Sequence, residues 1–144
     1  MDTESLATHV VDAGFKLHKA LGPGLLESAY ELILRERLRA DGIKVERQVP
    51  IDINYEGLAI ERAFVIDLLV EDRIILELKS VEQTHLAHSK QVLTYLRLTG
   101  LTLGFVMNFG AATFRDGVRR VVADHPTSFA SSPLRVMQNR TASE

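Results

Sequence analysis

Two adjacent apolar runs carry the residues best able to do chemistry: Phe64-Val65-Ile66-Asp67-Leu68-Leu69-Val70 and Ile74-Ile75-Leu76-Glu77-Leu78-Lys79. Asp67 interrupts the first run, and Glu77 and Lys79 end the second. Side chains alternate along a strand, so Glu77 and Lys79 share a face while Leu78 points the other way into the core. If the runs are antiparallel neighbours joined by the charged tip Glu71-Asp72, Asp67 comes to lie near Glu77. Burying a carboxylate is costly unless it is paired or bound to a cation. Two converging carboxylates with a backbone carbonyl, here that of Leu78, make the oxygen-rich site that Mg2+ or Mn2+ prefers. Lys79 would then help to deprotonate or orient a water while the ion stabilises charge on a phosphoryl oxygen. A structural salt bridge, with Asp67 or Glu77 paired to Lys79, explains the same triplet, and the spacing alone does not separate the two readings.

Other candidates lie on helical stretches. Gln91 and Tyr95 are four apart and so share a helix face, flanked by His88 and Lys90. An amide and a phenol beside a carboxylate-lysine cluster can hold a phosphate or support a general base, although an ordinary amphipathic helix with a half-buried tyrosine would look the same. Glu27 follows Gly22-Pro23-Gly24 closely. It either sits in a first helical turn, where the dipole favours a carboxylate, or supplies a further metal ligand. His85 and His88 lack a third partner of zinc-ligand spacing, and no Gly-Lys-Ser/Thr follows the glycines as a phosphate-binding loop requires.

The elements that must position these groups read as α-α-β-β-β-α-β-β. Leu6, Val10, Ala13, Leu17 and Leu21 step by three or four, as do Leu26, Tyr30, Ile33, Leu34 and Leu38, which predicts two helices ending at Gly22-Pro23-Gly24 and at Gly42. Alternation through Val49, Ile51, Ile53 and Tyr55 then predicts a strand, followed by strands over Ala63 to Val70 and Arg73 to Leu78, a three-stranded antiparallel meander. The continuous apolar runs of the last two place them centrally, covered on both faces. A third helix runs from Thr84, its candidate N-cap, to Leu98, and strands follow over Leu101 to Asn108 and Val118 to Val122. From Pro126 onward the composition predicts a flexible tail, leaving residues 1–125 as one domain.

Composition bounds the function classes. With 144 residues, 46% of them hydrophobic, the chain can build a real core. It has no cysteine, so disulfides, thiolate zinc sites and cysteine nucleophiles are excluded. An acidic N-terminus and the lack of any apolar run near the roughly 18 residues of a membrane span lead to the expectation of a cytoplasmic protein without membrane contact. Against 19 acidic residues stand 17 Lys and Arg, a net charge of −2, which counts against broad coating of nucleic acid but leaves room for a local basic groove.

Taken together, the residues resemble a known family. Gly24-Leu25-Leu26-Glu27-Ser28-Ala29-Tyr30 is similar to the signature of the GxxExxY protein family. Asp67, Glu77-Leu78-Lys79 and Gln91-x-x-x-Tyr95 resemble the PD-(D/E)XK nuclease superfamily to which that family is assigned. The likeness runs from about Val10 to Val122 and includes Gly104 and Asn108-Phe109-Gly110. It implies an α/β sandwich, a mixed central sheet with a β-meander flanked by helices. It further implies Glu27, Asp67 and Glu77 as metal ligands, Lys79 on the attacking water, and Gln91 and Tyr95 in support. The implied reaction is Mg2+-dependent (or Mn2+-dependent) hydrolysis of phosphodiesters in DNA or RNA, leaving a 5′-phosphate and a 3′-hydroxyl; a homodimer would present two such sites to a duplex. Ile66 stands where the superfamily often has a proline, and neither a basic surplus nor an appended recognition segment marks the substrate. Fold does not by itself establish activity, so a catalytically silent nuclease-like module that binds nucleic acid or protein is the alternative.

Overall fold

Asp2 starts the first helix, its carboxylate accepting the backbone N–H of Ser5 at 2.7 Å, an N-cap that satisfies one of the unpaired donors every helix begins with. In the computed structural model, which describes residues 1–125 and the backbone of 134–138, this helix is α1 (Thr3–Leu21), and it buries Leu6, Val10 and Ala13 on one side. Helix α2 (Glu27–Ala40) buries Tyr30, Leu34 and Leu38 at the same helical spacing. The meander follows as β1 (Val45–Tyr55), β2 (Leu58–Val70) and β3 (Ile74–Lys79), all antiparallel. Helix α3 (Leu86–Thr99) crosses to β4 (Leu103–Asn108), which runs parallel to β3, and a one-turn α4 (Phe114–Gly117) leads into β5 (Val118–Val122), antiparallel to β4.

The result is the expected α/β sandwich around one mixed sheet, of order β5-β4-β3-β2-β1-β6. Strands β2 and β3 take the central places that their unbroken apolar runs demand. Leu6, Val10, Tyr30, Leu34 and Leu38 from α1 and α2 pack on one face against Leu68, Leu76, Leu78 and Phe105. Val92 and Leu96 of α3 cover the other face over Ile66, Leu69, Ile75 and Val106.

Some boundaries differ from the sequence expectation. β1 starts at Val45, four residues before Val49. His85, not Thr84, stands at the N-cap of α3, because the Thr84 hydroxyl instead accepts from the amide of Asn108 at 2.9 Å. Helix α4, capped by Thr113, is too short to leave a periodic signal. The tail expected to be flexible lies largely outside the described residues; the backbone of β6 (Leu134–Gln138) pairs antiparallel with β1.

Both β1 and β2 exchange layers part-way along. Residues an even number apart on a regular strand share a face, yet Val45 packs with α1 and α2 while Val49 and Ile51 pack under α3. Across the ladder, Leu68 and Val70 belong to the first core while Ile66 and Phe64 belong to the second. The exchange falls at Gln48 and Asp67, the two positions between the paired Arg47–Leu68 and Val49–Ile66. Asp67 therefore sits where the two layers meet.

The C-terminal ends of β3 and β4 are locked to each other. Phe109 donates its backbone N–H to the carbonyl of Lys79 at 2.8 Å. The fully buried Asn108 accepts the N–H groups of Val81 and Gly110, each at 3.0 Å, on its Oδ1. A Cβ at Gly110 would stand 2.3 Å from the carbonyl oxygen of Val81, so only glycine fits that close approach. Replacing Asn108 by alanine strands these buried donors, and unfolding in denaturant is expected to show a loss of about 2–4 kcal/mol; an unchanged midpoint would contradict this account of the turn.

Candidate active site

Past Leu68 and Leu76 the ladder between β2 and β3 ends, and side chains take over its hydrogen bonds. Asp67 Oδ2 accepts the backbone N–H of Leu78 at 2.9 Å, and Glu77 Oε2 accepts the backbone N–H of Asp67 at 3.3 Å. Each carboxylate is thus held by the other strand's backbone, which fixes the two acids beside one another. Glu77 is only 3% exposed. Burial first, and then the neighbouring Asp67 carboxyl, push its pKa up to about 10.

Lys79 lies on the same face two residues on, partly buried. Its charge acts on Glu77 and on His88, yet among the described residues its ammonium forms no ion pair or hydrogen bond. The salt bridge that the triplet might have formed is not made. Gln91 donates to the Tyr95 hydroxyl at 2.9 Å, and the Tyr95 ring stacks on Phe64 with centroids 4.1 Å apart. The Tyr95 hydroxyl is raised in pKa, by burial first and then by the charge of Glu77, while Gln91, exposed one turn earlier on α3, has its hydrogen bond with Tyr95. His88 is lowered by burial and then by Lys79, and its ring meets that of His85 edge-on at 5.6 Å.

Glu27 is exposed at the first residue of α2 and joins no hydrogen bond or ion pair among the described residues. The α2 carboxylate that meets the cluster is Glu31, one turn further along. Glu31 is 4% exposed, forms an ion pair with Arg47 Nε at 2.7 Å, and accepts from the Gln48 amide at 2.9 and 3.1 Å. That amide nitrogen is also 3.3 Å from Asp67 Oδ1. Burial, ahead of the Asp67 charge, raises the pKa of Glu31. The sequence held a signal for Glu31: it lies inside the buried stripe of Tyr30, Leu34 and Leu38, an acid in an apolar run just as Asp67 is.

Tyr30, the last residue of the glycine-to-tyrosine signature, has a structural task. It is fully buried, donates its hydroxyl to the Gly22 carbonyl, accepts the Leu25 N–H at 3.2 Å and stacks on Phe109 at 4.5 Å. Ser80, next to Lys79, donates to the Leu25 carbonyl at 2.7 Å. The loop before α2 is thereby tied to the strand end that carries the lysine.

These donors fit a hard divalent cation. Asp67 and Glu77 offer adjacent carboxylate oxygens, and the buried Glu77 has no cationic partner within contact among the described residues. Among the described residues no group of three or more His, Asp or Glu side chains that could hold a metal ion is found, so the pair Asp67 and Glu77 is the part of a ligand set that is present. A family model described as PD-(D/E)XK nuclease superfamily matches residues 4–121. The chain belongs to that superfamily. No curated protein and no solved structure matches it. Nucleases of the PD-(D/E)XK superfamily commonly use divalent metals, and no described helix here is long and apolar enough to cross a membrane.

The raised acids give the fold a pH signature. A carboxyl whose pKa is higher in the folded chain than in the unfolded one stabilises the fold fully below the unfolded value and ceases to do so as pH rises through the folded value. For Glu77 the window runs from the ordinary glutamate value of 4.5 to about 10, and Glu31 acts in the same direction. Metal-free protein is expected to lose stability across that window, by at most about 1.4 kcal/mol per pH unit for each acid. Glu77→Gln should flatten the slope and melt higher than the parent at pH 8 in EDTA; a variant that melts lower there would contradict the buried, unpaired acid.

Proposed function

We propose that this PD-(D/E)XK protein is a metal-dependent nuclease of the GxxExxY type that hydrolyses phosphodiester bonds in DNA or RNA. One observation carries the reading: two carboxylates from adjacent strands are latched side by side, one of them buried without a cation, next to a lysine whose ammonium has no ion-pair partner among the described residues. Asp67, Glu77 and the Leu78 carbonyl would hold Mg2+ or Mn2+, and the α2 acid closest to them is Glu31, not Glu27, which stands exposed at the start of the helix. Such an ion would supply Lewis-acid stabilisation of charge on the phosphoryl oxygens.

The chain's own groups do the rest. Lys79 is placed to orient the attacking water and to offset negative charge as the phosphorus takes on a fifth oxygen. Gln91 and Tyr95, fixed to each other and packed on Phe64, hold polar atoms at the rim that can bond a phosphate oxygen. Cleavage would break the bond to the 3′ oxygen, which leaves as the hydroxyl, with the phosphate retained on the 5′ side. A homodimer would set two such sites on one duplex.

Two measurements test the reading. Millimolar Mn2+ should raise the melting temperature of the wild type above its value in EDTA, since a ligand that binds only the folded state stabilises it, and Asp67→Asn should abolish the rise. Lys79→Ala should keep the Mn2+-induced rise while cleavage of plasmid DNA or of a structured RNA falls by about 100-fold or more. Absence of both a metal shift and cleavage in the wild type would overturn the assignment, and retained nucleic-acid binding without cleavage would favour a binding module.

A further inference from the structure

Gln48 stands where β1 passes from one core layer to the other. It lies in the interior of β1, yet its φ is +53°, the left-handed region that costs an L-residue roughly 1–2 kcal/mol. Apolar burial does not compensate for that strain, because Gln48 is exposed. The ladder pairs Arg47 with Leu68 and Val49 with Ile66 and leaves Gln48 and Asp67 opposite each other unpaired. Besides accompanying the exchange of layers, the distortion goes with one side-chain placement: the Gln48 amide lies 2.9 and 3.1 Å from the two oxygens of Glu31 and 3.3 Å from Asp67 Oδ1. Residues in sparsely populated backbone regions cluster at functional sites, and this one bonds two acids of the carboxylate cluster.

A glutamine suits this position chemically. Glu31 and Asp67 accept hydrogen bonds and cannot donate when ionised, so a residue between them must donate twice, and a primary amide has two N–H donors. A carboxylate has about four acceptor directions. Gln48 occupies one on Oδ1 of Asp67 and the Leu78 N–H one on Oδ2, which sets the plane of the carboxylate. Glu31 in turn is anchored by Arg47, the residue before Gln48, so the amide is held from both sides.

We propose that Gln48 is a positioning residue of the metal site, its left-handed backbone turning the amide inward to tie Glu31 to Asp67 and to orient Asp67 for the ion. The proposal rests on the metal-binding reading above. Groups that orient a ligand without touching the metal commonly contribute about 10- to 100-fold in metal affinity.

Glycine adopts positive φ without the steric cost of a side chain, so Gln48→Gly separates the backbone from the amide. Melting in EDTA and Mn2+ affinity by isothermal titration calorimetry would be measured on the full chain for the wild type, Gln48→Gly, Glu31→Gln and the double variant. Expected is a metal-free melting temperature for Gln48→Gly equal to or above that of the wild type, together with Mn2+ binding about 10- to 100-fold weaker. Glu31→Gln should weaken Mn2+ binding as well, with little further loss in the double variant, as residues acting through one network behave. Equal Mn2+ affinity for the wild type and Gln48→Gly overturns the role of Gln48 while leaving the metal site standing. A melting temperature that falls in step with affinity overturns it too, in favour of a merely structural residue. A wild type that binds no Mn2+ overturns the metal reading and this inference together.

Discussion

The arrangement depends on two hydrogen bonds made where a sheet stops. Between β2 and β3 the backbone ladder gives out after Leu68 and Leu76, and Asp67 and Glu77 replace it, each accepting an N–H from the other's strand. In water such bonds would be unremarkable. In a central strand pair they hold two acids at close quarters in a region where charge is expensive, and protonation or a cation is what can relieve it. The unusual proton affinity of Glu77, the bearing of its charge on Tyr95 and the approach of Glu31 all follow from that constraint.

Much of the fold was legible in the sequence because hydrophobic period reports burial directly. Leu6, Val10 and Ala13 in α1 and the unbroken run Leu68-Leu69-Val70 in β2 declare their environments without knowledge of the partners. Asp67, Glu77, Lys79, Gln91 and Tyr95 were legible for a related reason: each is polar where its element's pattern calls for an inward position, or lies a helical turn from one that is. Glu31 carried the same mark and was hidden by Glu27, which stands at the more conspicuous motif position and at a helix start that explains an acid equally well.

Gln48 left no such trace. A positive φ outside glycine has no reliable residue signature, and nothing in Arg47-Gln48-Val49 distinguishes a strained strand residue from an exposed one. The exchange of layers at Gln48 and Asp67 is likewise a property of two strands together, invisible along either alone. Thr84 illustrates the converse: the local rule for a helix cap was sound, but Asn108, twenty-four residues away, offered its hydroxyl another partner. Where long-range polar bonds compete with local ones, the nearest sequence rule loses.

Tyr30 gives the glycine-to-tyrosine signature a consequence for how such chains are to be interpreted. Its hydroxyl secures the loop ahead of α2 and its ring braces Phe109, so its task is architectural and independent of whether any phosphate is ever cleaved. Selection for stability alone would retain that tyrosine in a copy whose acids had drifted to neutral residues. A sequence carrying the motif therefore advertises the scaffold, and the identity of residues such as Asp67, Glu77 and Lys79 is a separate matter that the motif does not report.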